Sequence, residues 1–153
     1  MTAAPTSSRS EAMAAEFEAR AASRELVVGV IGLGYVGLPL AEGFLNKGFK
    51  VLAYDPDESK VAAIQAGRTY INHISDQRVA AMRDTGRLEA TSDQSRLAEA
   101  DALLMCVPTP LNVHREPDLS YVEACALTIS KTLRPGQLVV LESTTYPGTS
   151  EEL

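Results

Sequence analysis

Three groups of residues in this chain have the types and spacing for chemistry. Gly32, Gly34 and Gly37 spell G-x-G-x-x-G inside VVGVIGLGYVGLPLAEGF, between a run of β-branched residues and Val36, Leu40 and Phe44 at helical spacing. A glycine turn between a buried strand and a helix lets the backbone approach a pyrophosphate. The helix amino terminus adds free N–H groups and a positive dipole end. Asp55 stands about 20 residues beyond Gly34, the spacing of an acid that grips a ribose diol. Thr109, after CVP, and Ser143, Thr144 and Thr145, after QLVVLE, supply hydroxyls. The glycine motif alone is weak, since glycines also serve ordinary turns. Its strand–turn–helix setting makes it a dinucleotide-site candidate.

These residues need elements to carry them. A strand over about 26–31, apolar and β-branched as in a strand buried on both faces, leads through the turn into a helix over about 36–46. A second strand, Lys50 to Tyr54, ends at Asp55. Then come a helix with Val61 and Ile64 on one side and Gly67 near its close, a helix in SDQRVAAMRDTG capped by Ser75, and a weaker strand, Arg87 to Thr91. ADALLMCVP is a strongly buried strand, followed by a loop with Pro108, Pro110 and Pro117. The next helix, from about Leu119, shows Val122, Ala126, Ile129 and Leu133 on one side, is broken at Pro135 and Gly136, and precedes the strand QLVVLE. Strands alternating with helices predict an α/β doubly wound parallel sheet of Rossmann type with right-handed crossovers. In such a sheet ligands bind beyond the carboxyl ends of the strands, where all three groups stand.

Each residue also has a plainer role open to it. Asp55 suits the cap of the next helix in DPDES, Lys60 is either a solvated helix residue or a ribose contact, and Thr109 and Ser143 can simply end strands. Gly29 reads as strand packing. Pro39 is unusual: in a helix starting at Tyr35 it removes an interior hydrogen bond and bends the first turn.

Composition narrows the classes. Fourteen Lys and Arg against 20 Asp and Glu give a net charge of −6, which disfavours nucleic acid or an anionic membrane as the main partner. No apolar run approaches the ~20 residues that span a bilayer. Cys106 and Cys125 make no disulfide framework, which points to the cytoplasm. His73 and His114, without clustered Cys/His spacing, predict no zinc site. Asp55 and Asp57, with no Arg following Asp55, predict NAD over NADP by roughly tenfold or more through repulsion of a 2′-phosphate.

Residues 1–24 form a separate tail, partly helical or disordered, with Ser8 and Glu11 as a capping box and Met13, Phe17 and Ala21 on one face. Residues 25–153 form the predicted NAD-binding domain. The closing TSEEL reads as the first turn of a helix cut short, so the expectation is a piece truncated before a substrate domain.

VVGVIGLGYVGLPLA, DPDESKV, CVPTPL, REPDLSYV and RPGQLVVLESTTYPGTSEE together resemble the UDP-glucose/GDP-mannose dehydrogenase family, nearest its UDP-N-acetylhexosamine branch. The resemblance runs from about Val27 to the end. It implies a pyrophosphate turn at Gly32, Leu33, Gly34, Tyr35, Val36 and Gly37, a ribose acid at Asp55 and its basic neighbour at Lys60. It also implies a nicotinamide-side strand end at Val107, Pro108 and Thr109, and hydroxyls at Ser143 and Thr144. Thr144 lies in the family near the reacting centre, where it helps hold a water.

Such enzymes oxidise the C6 alcohol of a nucleotide sugar twice with two NAD⁺, making a uronic acid for polysaccharide precursors. A cysteine captures the aldehyde as a thiohemiacetal. The family's cysteine belongs to a glycine-rich Cys-x-Pro-Lys-like segment, whose surroundings neither Cys106 nor Cys125 has. The resemblance therefore implies a fragment that binds NAD without turnover, from a homo-oligomeric parent whose nucleotide-sugar pocket lies elsewhere. Two other readings share the fingerprint: the cofactor domain of a 3-hydroxyacid or 6-phosphogluconate-type dehydrogenase, and a non-catalytic NAD-sensing module.

Overall fold

The computed structural model of the chain describes residues 6–110 and 117–145. Five parallel strands, β1 (Val27–Ile31), β2 (Lys50–Tyr54), β3 (Leu88–Thr91), β4 (Ala102–Met105) and β5 (Leu138–Leu141), form one sheet in the order β3-β2-β1-β4-β5. The order reverses at β1, which lies between β2 and β4, so the crevice of a doubly wound sheet opens at its carboxyl end.

The period-2 pleat sends alternate side chains to opposite faces, and helices cover both. Val28, Val30, Val51, Ala53 and Leu104 face a core shared with α2 (Gly37–Asn46), α3 (Glu58–Gln65) and α4 (Asp76–Asp84). Ile31, Tyr54, Leu103 and Met105 face a second core, built with Leu97 of a 3₁₀ helix (Gln94–Glu99) and with α5 (Ser120–Ser130). A side chain at Gly29 would meet Leu103 and Ala100 at under 3 Å, so this glycine lets the layers pack.

Local chemistry sets the helix ends. Asp57 accepts from the Ser59 N–H at the start of α3, and Ser75 accepts from the Arg78 N–H at the start of α4. The phase of two helices departs from the sequence reading. In α2 the buried stripe is Leu38, Ala41 and Leu45, while Val36 is exposed and Leu40 and Phe44 are half-buried. The segment is apolar nearly all round, so more than one stripe fits a 3.6-residue period. In α5 the inward side is Val122, Cys125 and Ile129, and Leu133 lies exposed beyond the helix end. α2 opens at Gly37, so Pro39 falls in its first turn, and the Leu38 and Leu40 N–H groups on either side of it still bond the Gly34 and Val36 carbonyls at 3.2 and 3.1 Å.

α1 is an 18-residue helix (Thr6–Ser23), and the Ser8 side chain of the expected capping box lies outside the described residues. Met13, Phe17, Arg20 and Ala21 are half-buried on the face turned to the domain. Arg24, at φ 66°, ends the helix, and its guanidinium satisfies the terminal carbonyls of Ala21 and Ala22.

Arg20 fastens α1 to the amino ends of the strands through a two-pronged bond to Asp101 at 2.9 and 2.7 Å. Asp101 also accepts from Arg134 at 3.0 Å and from the Val27 N–H at 2.9 Å. Burial opposes the charge of Asp101 most strongly, but the Arg20, Val27 and Arg134 bonds outweigh it and hold the carboxyl below the usual carboxylate range.

Candidate functional site

The turn after β1 is held by its neighbours at three points. Gly32 donates to the Tyr54 carbonyl at 2.9 Å, and Leu33 donates to Asp55 Oδ2 at 2.9 Å. The Leu33 side chain is fully buried in the core, a contribution of roughly 2 kcal/mol. Tyr70 Oη donates to the Leu33 carbonyl at 2.5 Å.

The three glycines divide by what the fold demands of them. Gly32 has φ +90°, and a Cβ there would sit 2.7 Å from the Cys106 carbonyl oxygen. At Gly37 a Cβ would fall 1.8 Å from the Gly32 oxygen. Both are required by the chain itself. Gly34 is different: its φ is not in the left-handed region, and a Cβ would meet nothing within 4 Å. Tyr35 and Val36 beside it are exposed, and among the described residues the N–H groups of Gly34, Tyr35 and Val36 reach no acceptor. The turn thus offers open amides at the mouth of α2, the arrangement that attracts an anion.

Asp55 ends β2 directly beside this turn, with its side chain buried. Oδ2 accepts from Leu33 N–H and from Lys60 Nζ at 3.0 Å, and Oδ1 accepts from the Asp57 N–H at 3.0 Å. An ionised carboxylate has about four acceptor positions. One position on Oδ1 is left. Asp55 does not cap α3, a role taken by Asp57. Lys60 is not a freely solvated residue, because its ammonium is fixed on Asp55.

At the ends of β4 and β5, Ser143 Oγ donates to the Val107 carbonyl at 2.6 Å and ties the two strands together. Pro108 and Thr144 are exposed and Thr109 is half-buried. The structure therefore brings Gly32 to Gly37, Asp55 and Lys60 into direct contact, and sets Val107 to Thr109, Ser143 and Thr144 at the neighbouring strand ends. His114 and the segment from Tyr146 lie outside the described residues.

Burial first, and then the charge of Glu142, pushes the Cys106 thiol up to about 11. Burial, followed by the neighbouring Cys106, does the same for Cys125, also to about 11. No group of His, Cys, Asp and Glu among the described residues could hold a metal, and no helix among them is long and apolar enough to cross a membrane.

Sequence reasoning missed Tyr70. It sits in GRTYINHIS, a segment without a motif, and the only signal was an aromatic residue among polar neighbours.

An open parallel sheet with a glycine turn and a buried acid at adjacent strand ends defines a dinucleotide-binding domain. Residues 26–153 match the NAD binding domain of the UDP-glucose/GDP-mannose dehydrogenase family, and the chain belongs to that family. NAD is the cofactor of this domain. The chain is 41% identical over 127 residues to NDP-N-acetyl-D-galactosaminuronic acid dehydrogenase of Ralstonia nicotianae, covering 82% of this chain and 29% of the relative. It is 39% identical to UDP-N-acetyl-D-mannosamine dehydrogenase of Salmonella typhi, covering 82% and 30%. Among solved structures it resembles UDP-D-ManNAc dehydrogenase of Pyrococcus horikoshii at 35% identity and a TM-score of 0.77, covering 83% and 30%. The chain thus spans under a third of the length of these relatives. The match favours this family over 3-hydroxyacid and 6-phosphogluconate-type dehydrogenases.

Proposed function

We propose that NAD lies across the carboxyl ends of β2, β1 and β4, and that the parent protein is a nucleotide-sugar 6-dehydrogenase. In this reading the Gly32–Gly37 turn receives the diphosphate on the amides of Gly34, Tyr35 and Val36, while Leu33 anchors the turn in the core. The open acceptor on Asp55 Oδ1 takes a hydroxyl of the adenosine ribose, with Lys60 beside it. Val107, Pro108, Thr109 and Ser143 border the nicotinamide half, and Thr144 stands nearest the reacting centre, where it helps hold a water. Bound NAD⁺ supplies the hydride acceptor for oxidation at C6 of the sugar. The relatives are named for N-acetylated nucleotide sugars, which supports a UDP-N-acetylhexosamine as substrate.

One observation supports this site above the others: Gly34 is a glycine that the folded chain does not need. The requirement then comes from a molecule that approaches the backbone there. The domain comprises residues 25–153, with α1 as an added helix. The parent is a cytoplasmic homo-oligomer acting in polysaccharide precursor synthesis.

Neither cysteine of this chain serves as the nucleophile. Thiols raised to about 11 are almost wholly protonated at neutral pH, and the thiolate is the reactive form. Mixed with NAD⁺ and a UDP-sugar, the 153-residue chain should yield no NADH absorbance; steady NADH formation would overturn this part of the reading. Calorimetric titration with NAD⁺ and NADP⁺ should show roughly tenfold or greater preference for NAD⁺, from repulsion between the 2′-phosphate and Asp55 and Asp57. Equal affinities would refute the placement of the ribose.

A further inference from the structure

The segment between α3 and α4 reaches the glycine turn twice. Tyr70 Oη donates to the Leu33 carbonyl at 2.5 Å, and the His73 ring stacks on Tyr35 with centroids 5.3 Å apart and planes 23° apart. The segment is itself anchored, because Ile71 and Ile74 are buried in the core and Thr69 Oγ1 accepts from the Ile71 N–H at 3.0 Å. Burial, and after it the charges of Asp55 and Asp57, raises the Tyr70 hydroxyl above the ordinary tyrosine range, so it remains a donor at neutral pH.

The Leu33 carbonyl and the Gly34 N–H belong to one peptide unit. No cis peptide bond occurs among the described residues, so these two groups point in opposite directions across a rigid plane. A hydroxyl that pulls the Leu33 oxygen inward therefore turns the Gly34 N–H outward. Asp55 holds the preceding peptide through the Leu33 N–H at 2.9 Å, so each of the two planes flanking Leu33 is held by a side chain.

We propose that Tyr70 is a positioning residue for the diphosphate turn, setting the Leu33–Gly34 peptide plane so that the Gly34 amide faces the ligand. The proposal rests on the reading of this turn as the NAD site. Without the hydroxyl the plane can rotate, and only the fraction of molecules with the amide outward is competent to bind.

The test is Tyr70→Phe, which keeps the ring and removes the donor. NAD⁺ affinity is measured by calorimetry on the whole chain, and backbone order at Gly34 and Gly29 by ¹⁵N relaxation without ligand. The account predicts a loss of affinity of about three- to tenfold and a lower order parameter at Gly34 but not at Gly29. A lower melting temperature with unchanged NAD⁺ affinity would mean that Tyr70 only packs, and overturns the proposal. Unchanged order at Gly34 overturns it too, even in the absence of NAD. If the unsubstituted chain does not bind NAD⁺ while Gly34 loosens in the variant, the peptide hold stands and the reading of the site as an NAD site fails.

Discussion

Two buried aspartates stand at opposite ends of β1, and the contrast between them separates holding the fold from holding a ligand. Asp101, at the amino end, accepts from Val27 N–H and from the guanidiniums of Arg20 and Arg134, two donors on each oxygen. Asp55, at the carboxyl end, accepts from Leu33 N–H, Asp57 N–H and Lys60, and keeps a position on Oδ1. Both carboxylates are buried and both bind a backbone amide of the same strand–turn unit. Only one has capacity left. A full carboxylate is a clamp, whereas an incompletely filled one beside open amides is a receptor.

The cavities follow the same division. A cleft of about 260 Å³ lies at the amino end beneath α1, bordered by Arg9, Phe17, Arg20, Asp101 and Arg134. Its charged centre is the saturated Asp101 pair, so the cleft marks where α1 docks. The carboxyl end instead presents the amides of Gly34, Tyr35 and Val36 and the remaining position on Asp55 Oδ1.

Replacing the full carboxylate should have the largest effect on stability. Asp101→Ala leaves the Val27 N–H and two guanidiniums without their acceptor and should lower unfolding free energy by about 3 kcal/mol, read by urea denaturation. NAD⁺ affinity of the folded fraction should not change. An accompanying loss of affinity would break the separation of the two ends.

Gly34→Ala should do the reverse. It should alter stability by no more than about 0.5 kcal/mol, as at an open surface position, yet weaken NAD⁺ binding about tenfold or more by holding the diphosphate off the backbone. Equal affinity for the two proteins would remove the reason given for that glycine.

A smaller effect is expected from Arg20→Ala, which takes away one arm of the clamp. About 1–2 kcal/mol should be lost, with faster proteolysis within residues 6–23.

Acid sharpens the comparison further. The folded-state pKa of Asp101 is depressed, so its stabilisation is complete above the unfolded value of about 3.9 and fades as pH falls through the lower folded value. The stability gap between the parent chain and Asp101→Asn should be constant from pH 7 to 5 and shrink below about pH 4. A gap that shrinks between pH 7 and 5 would contradict the assignment.

Much of this was legible in the residues alone, for a physical reason. The glycine turn, its flanking strand and helix, and Asp55 obey local rules of φ, burial and strand-end geometry within a short stretch of chain. Tyr70 lies 37 positions from Leu33, and Arg20 lies 81 from Asp101. Pairings at such separations are set by how the layers stack, and no spacing rule announces them. The α2 stripe is not legible because Leu38, Leu40, Ala41, Phe44 and Leu45 leave hardly any polar side to fix its phase. Spacing alone leaves Lys60 open between solvent and ligand, whereas the fold shows its ammonium on Asp55.

The most direct measurement is a calorimetric titration of NAD⁺ into the chain and into Asp55→Ala. Saturable binding by the first, weakened by about 1–3 kcal/mol in the second, is the result the account predicts for loss of a charged hydrogen-bond partner. Identical affinities in the two proteins would contradict it.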